Sequence, residues 1–204
     1  MCIMKPPTTN HQPPTTNLFS LKNYRQIYEY IKSDYVRYGG KPKLLKILIN
    51  VLFGRNHCFV FSFWLRLCST KNIFYILARI MHKKYVRKYG LQIYPRTQIG
   101  YGLYIGHGIG IVISSSAKIG DNCNLSQFTT IGSNHNKAAV IGDNVYIGPS
   151  VCIVEDVIIG NNVTIGAGSV VVKDVPENAT VAGVPAKILN YNNAGRYVNN
   201  RWKK

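Results

Sequence analysis

The chain predicts a mainly β protein, a parallel β-helix of triangular section preceded by an α-helical segment. The first observation is an aliphatic residue at every sixth position between Ile99 and Val171: Ile99, Ile105, Ile113, Ile119, Leu125, Ile131, Ile141, Ile147, Ile153, Ile159, Ile165 and Val171. The second is a smaller side chain four residues past most of these, at Ala117, Cys123, Thr129, Val145, Val151, Val157, Val163 and Ser169. The third is the glycine that follows at Gly142, Gly148, Gly160 and Gly166, a slot that Val154 and Val172 take instead. A helix needs apolar residues every three or four positions and an ordinary strand every two, so a step of six with Asn and Asp between fits short strands joined by bends. The alternation of glycine and valine sets a larger period of eighteen, hence three faces per coil. One coil cannot bury its own aliphatic column; stacked coils can.

The remaining segments are argued from composition. Residues 1–20 hold the near duplication PPTTN at Pro6–Asn10 and Pro13–Asn17 and no charged stretch running into an apolar one, which predicts a flexible tail and not a signal peptide. Residues 21–90 predict helices: Tyr24, Ile27, Tyr28 and Ile31; Leu44, Leu45, Ile47, Leu48 and Leu52; and Ile73, Ile76, Leu77, Ile80 and Met81 recur at helical spacing. The apolar runs Leu44–Phe53 and Cys58–Cys68 are interrupted by Lys46 or Arg66 and fall short of the roughly 18 residues of a membrane span. The repeat domain is expected over 91–189 and a basic C-terminal tail over 190–204.

The net charge of +17 is uneven. Residues 1–92 carry sixteen Lys and Arg against only Glu29 and Asp34, whereas the rest carries nine against six. An excess of this kind suits an anionic partner, and peripheral contact with a membrane through the basic helices stays open beside the plainer account, a helix face docked on a neighbouring subunit. No nucleic-acid motif accompanies the charge, so no nucleic-acid partner is expected. Cys2, Cys58, Cys68, Cys123 and Cys152 are odd in number and lack metal-ligand spacing, which predicts reduced thiols, a cytoplasmic protein and no metal.

Two interruptions of the six-residue step carry the candidate chemistry. Ile105 to Ile113 holds two extra residues and Ile131 to Ile141 four, and each insertion contains a histidine, His107 or His135. A regular coil wall is chemically inert, whereas an extruded loop can hold an imidazole over a groove. The plainer accounts are a turn histidine at 107 and a solvated loop residue at 135.

The segment IGHGIGIVISSSAKIGDNCNLSQFTTIGSNHNKAAVIGDNVYIG, with VTIGAGSVVVKDVPENATVAGVPAKIL after it, resembles the hexapeptide-repeat acyltransferases, and most closely their serine acetyltransferase branch. The resemblance covers roughly Leu91 to Leu189. It implies a left-handed helix, although parallel β crossovers are normally right-handed, a homotrimer, and acetyl-CoA as donor. It also implies that His107 is the general base on the acceptor hydroxyl, a group that is a poor nucleophile at neutral pH without one.

The chain departs from that branch at the acceptor. Gly106 stands where the branch has an aspartate for the serine ammonium, Gln92 where a second aspartate orients the base, and Ala138 where the other histidine stands, leaving His135 three residues out of register. A buried ammonium without a carboxylate is costly. The expected acceptor is therefore a neutral hydroxyl, such as a sugar of a surface polysaccharide or its precursor, with free serine as the alternative. For the donor, the resemblance maps contacts with the pantetheine arm onto Pro149 and Ala167, and with the nucleotide end onto Lys173 and Lys187. Gln127 matches a glutamine that lines the acceptor site. A non-enzymatic solenoid binding a membrane or nucleic acid would need neither the histidine insertion nor the lysine-bearing C-terminal motif.

Overall fold

The computed structural model describes residues 24–54, 56–71 and 73–203, so the segment expected as a tail, 1–20, lies outside the described residues. Four helices come first: α1 (Tyr24–Arg37), α2 (Leu44–Phe53), α3 (His57–Leu67) and α4 (Tyr75–Tyr89). The strands that follow are β1 (Gln92–Ile93), β2 (Gln98–Ile99), β3 (Tyr104–Gly106), β4 (Val112–Ile113), β5 (Lys118–Ile119), β6 (Asn124–Ser126), β7 (Thr130–Ile131), β8 (Val140–Ile141), β9 (Tyr146–Ile147), β10 (Cys152–Ile153), β11 (Ile158–Ile159), β12 (Thr164–Ile165), β13 (Val170–Val171), β14 (Thr180–Gly183) and β15 (Ala186–Asn190).

These strands form three parallel sheets, the faces of a triangular prism. The first runs β1-β4-β7-β10-β13, the second β2-β5-β8-β11, and the third β3-β6-β9-β12-β14, closed by antiparallel β15. Register follows the sequence period: Ile147 lies on Ile165 and Ile153 on Val171, one eighteen-residue coil apart. Where an insertion intervenes the step lengthens by its size, so Ile105 lies on Leu125 and Ile131 on Ile153. Every position of the predicted aliphatic column is buried, and so is every one of the smaller residues four places on.

Each coil turns at three edges. At the edge between the second and third sheets, neighbouring coils approach so closely that a Cβ on Gly120 would lie 2.7 Å from the Gly142 carbonyl. Asn122, Asn144, Asn162 and Asn178 take the left-handed backbone there, which asparagine tolerates. Their side chains form a ladder, the Asn144 Nδ2 donating to Asn162 Oδ1 and the Asn162 Nδ2 to Asn178 Oδ1, both at 3.1 Å. The segment expected as a basic tail runs back along this ladder. The Gly195 N–H donates to the Asn162 carbonyl at 2.6 Å, and Trp202 exchanges hydrogen bonds with the Asn122 amide.

The helices cap the first coil and the outer face of the third sheet. Helix α3 has no amphipathic stripe because it has no solvent-facing polar side: Phe59, Val60, Phe61 and Leu65 are buried on different sides, against α1, α2, α4 and β3, and its Ser62 and Arg66 are turned inward as well. Asn56 caps its N-terminus, accepting from the N–H groups of Cys58 and Phe59. The predicted stripes of the other helices are helical in period but not all inward. Ile27 and Ile31 of α1 are buried, whereas α2 buries Ile47 alone and α4 buries Ala78 and His82 and turns Ile76, Leu77 and Ile80 outward. His82 Nε2 donates to the Ile93 carbonyl at 2.9 Å, tying α4 to β1, and burial pushes the imidazole pKa down. A polar network docks α1 and α3 together. Asp34 accepts from Ser62, from Arg66 and from the Leu103 N–H at 2.8 Å, and Arg66 donates to the carbonyls of Ile99 and Gly100.

The four described cysteines, Cys58, Cys68, Cys123 and Cys152, are free thiols. No single described helix is long and apolar enough to cross a membrane.

Candidate active site

His107 owes its position to a two-residue extrusion. Gly106 pairs with Ser126 in register, and four coil-turn residues later the Gly110 N–H donates to Tyr89 O just as the Phe128 N–H donates to Ile109 O. The extra residues are therefore His107 and Gly108. Gly108 turns inward: its N–H donates to Cys58 Sγ at 3.2 Å, and a Cβ there would stand 3.0 Å from that sulfur. His107, with φ of 52°, is thrown outward and exposed. His57 stands close by, stacked on Tyr89 at 4.4 Å and within 3.5 Å of Cys58 Sγ. No carboxylate forms an ion pair with His107 among the described residues. Gln92 lies in β1 on the outer face of the first sheet, exposed and paired with Val112.

Below His107 the edge between the third sheet and the next coil's first sheet collects most of the other candidates. Gln127, Pro149 and Ala167 succeed one another there: the Ser150 N–H donates to Gln127 O at 2.9 Å and the Gly168 N–H to Pro149 O at 2.8 Å. The Gln127 Oε1 is buried without a hydrogen-bond partner among the described residues. The hairpin of β14 and β15 closes this edge, because the Gly183 N–H donates to Ser169 Oγ and Ser169 Oγ to Gly166 O. Lys187, exposed and paired with Ala182, belongs to that hairpin. At a coil spacing of about 4.8 Å, His107 and Ala167 stand roughly 14 Å apart along one line.

His135 and Lys173 belong to a different edge, between the first and second sheets. His135 lies in the longer insertion between β7 and β8, and Lys173 follows β13. Residues 134–137 of that insertion are exposed, while Ala138 and Ala139 have already turned into the core. A histidine at position 138 would have to enter the core, so His135 is the imidazole this loop can present. One coil below, Glu155 anchors the loop. Its Oε2 accepts from the N–H groups of Asn134 (2.9 Å) and His135 (3.1 Å) and from Ser133 Oγ, and its Oε1 accepts from His135 Nδ1 at 3.1 Å.

These backbone donors, with His135 itself, hold the Glu155 carboxyl below its ordinary pKa. An ionised carboxylate only accepts, so His135 carries a proton on Nδ1, and its neutral form presents a basic Nε2. Sequence reasoning missed Glu155. The signal was present in the register, since Ile131 on Ile153 sets Ser133 beside Glu155.

Comparison with known proteins agrees with this fold. Residues 138–173 match the family model described as bacterial transferase hexapeptide (six repeats). The serine acetyltransferase of Staphylococcus xylosus is 39% identical over 119 residues, which is 56% of this chain and 55% of that protein. The chain thus spans about half the length of the curated relatives it matches. A crystal structure of Neisseria gonorrhoeae serine acetyltransferase in complex with serine superposes with a TM-score of 0.66 at 32% identity, covering 80% of this chain and 69% of the other. The serine acetyltransferase of Brucella abortus in complex with coenzyme A does so with a TM-score of 0.67 at 25% identity, covering 81% and 68%.

Proposed function

Because this chain belongs to the hexapeptide-repeat transferase family of the serine acetyltransferases, we propose that it is an acetyl-CoA-dependent O-acetyltransferase with His107 as general base. The observation that carries the reading is the single edge on which His107, Gln127, Pro149, Ala167 and the Lys187 hairpin line up. Acetyl-CoA supplies an acetyl thioester at one end of an extended arm and anionic phosphates at the other. The edge has the same polarity. The imidazole stands at its N-terminal end, and Lys187 at its C-terminal end offers an ammonium to the phosphates. Pro149, half-buried, and Ala167, exposed, lie between the two, one coil apart. His107 takes the acceptor's hydroxyl proton as the oxygen attacks, and returns it to the departing thiolate.

The relatives favour serine as the acceptor. A specific feature of this chain supports a second reading, a neutral sugar hydroxyl: neither Gly106 nor Gln92 offers a carboxylate on the His107 edge. The carboxylate missing there is present on the neighbouring edge as Glu155, beside His135. Within one chain the two histidines face different edges of the prism, so a site using both takes one edge from each of two adjacent copies. This supports a homotrimer, in which each groove between copies would hold His107 of one and His135 with Lys173 of the next. Acetyl transfer from acetyl-CoA to serine, nucleotide sugars and oligosaccharides tests the reading. Transfer to serine alone selects the first acceptor and transfer to sugars alone the second, whereas acetyl-CoA turnover with neither overturns the proposal.

A further inference from the structure

We propose that α2 and α4 dock on the surface of an anionic phospholipid bilayer. The helices leave uncovered the side chains that a soluble bundle would bury. Leu52 and Phe53 of α2 are 79% and 74% exposed, and Ile73 just before α4 and Ile76 in its first turn are 82% and 75% exposed. Leu45, Leu48 and Ile49 of α2 and Leu77 and Ile80 of α4 are exposed beside them in sequence. Apolar exposure on this scale marks an interaction site.

Charge identifies the partner. Along the outward face of α4, Ile76, Leu77 and Ile80 give way within one helical turn to Lys83, Lys84, Arg87 and Lys88, all exposed. Lys41, Lys43 and Lys46 border or interrupt the apolar face of α2, and Lys71 precedes α4; all four are exposed. None of these eight cations is in an ion pair among the described residues. The sequence holds no Asp or Glu between Asp34 and Asp121, so neither helix carries an acidic side chain. Apolar side chains that enter the acyl boundary, beside lysines and arginines that meet phosphate headgroups, are what an interfacial helix presents to an anionic membrane.

A second copy of the chain fits this face poorly, because apposing two such surfaces brings like charges together with no carboxylate to separate them. A purely polyanionic partner would leave the aliphatic residues unburied. Neither helix spans the bilayer: α2 has ten residues, and α3 after it is buried against the coil. The helices would lie on the surface. The acyltransfer edges belong to the prism, so the proposal does not depend on which acceptor is used.

The full chain is sedimented with vesicles of phosphatidylcholine alone and of phosphatidylcholine mixed with phosphatidylglycerol, at low and high salt. The expected result is partition onto the mixed vesicles at least about tenfold stronger than onto the neutral ones, falling with salt but not to zero. Lys83→Glu with Arg87→Glu, and separately Ile76→Ser with Ile80→Ser, should each lower that partition at least about tenfold, with thermal unfolding and acetyl-CoA turnover unchanged. Equal or absent binding to the two vesicle types overturns the proposal. So does lipid-free self-association that the Ile76→Ser, Ile80→Ser variant abolishes, since a second copy then owns the face. If either variant fails to fold, the lipid and salt dependence of the wild-type chain still decides.

Discussion

Asp34 of α1 and Arg66 of α3 form a two-point ion pair, Nε to Oδ2 and Nη2 to Oδ1 both at 2.9 Å, with the carboxylate side chain 0% and the guanidinium side chain 6% exposed. Beyond the pair, Asp34 accepts from the Ser62 hydroxyl of α3, and both groups reach the first coil. Asp34 accepts from the Leu103 N–H, and Arg66 donates to Ile99 O and Gly100 O. A charge pair in this setting is the joint between helices and prism, and either half alone is a buried, uncompensated ion.

Asp34→Ala should therefore destabilise the chain by about 3–5 kcal/mol, measured by denaturant unfolding. Asp34→Leu combined with Arg66→Met should cost less than either single change, because the double variant leaves no unpaired charge. A single variant within about 1 kcal/mol of wild type would show that the joint contributes through packing alone.

The column of the prism makes a second prediction. Ile165 is fully buried between Ile147 and Val181, whereas Ile158, the outward-facing neighbour of the column residue Ile159, is 57% exposed on the second sheet. Ile165→Asp should abolish cooperative thermal unfolding of the coil domain by burying an unpaired carboxylate, and Ile158→Asp should leave it intact. Equal tolerance at both sites would contradict the register.

For the chemistry, His107→Ala should lower turnover by about 10²–10⁴ with folding unchanged. His135→Ala separates two roles of the second histidine. A rise in the acceptor constant alone places it over the groove, and a comparable loss of turnover makes it a second catalytic group. Loss for His135→Ala with a nearly normal rate for His107→Ala would reverse the assignment made above.

The donor prediction concerns the two lysines. Lys173→Ala with Lys187→Ala should raise the apparent acetyl-CoA constant and leave the acceptor constant nearly unchanged. Acetyl-pantetheine, which lacks the nucleotide, should not distinguish the variant from wild type. Unaltered acetyl-CoA kinetics would return both residues to ordinary solvated charges.

Glu155 gives a pH dependence with a definite sign. Its pKa in the folded chain lies below the ordinary 4.5, so the hold on residues 133–135 is complete above that value and is lost as pH falls through the depressed one. The amide proton shifts of Asn134 and His135 should follow this single titration in NMR spectra, and Glu155→Gln should remove it. Amide shifts that stay constant through the acid range would mean that the carboxylate does not hold the loop in solution.

The prism was legible in the amino-acid order because its rule is local. Each residue of a short strand points either into the prism or out of it, so Ile147, Val151, Ile153 and Val157 declare their sides without reference to any distant partner. The same counting exposed both insertions, and with them His107 and His135. What the order of residues could not decide was which parts of the chain meet at each edge and on each helix. Helix α3 is enclosed on all sides, its Ser62 and Arg66 included, and enclosure erases the solvent-facing polar stripe that would have announced it.

The stripes on α2 and α4 are visible as period, yet period cannot say whether a stripe faces the protein or the solvent. Asp34 and Arg66 read as two scattered charges until α1 and α3 cross. Glu155 became the anchor of His135 only when coil stacked on coil, and the two histidines were separated onto different edges by the phase of the three sheets. Pairing between distant segments depends on how helices and coils dock in three dimensions, which no single stretch of sequence encodes.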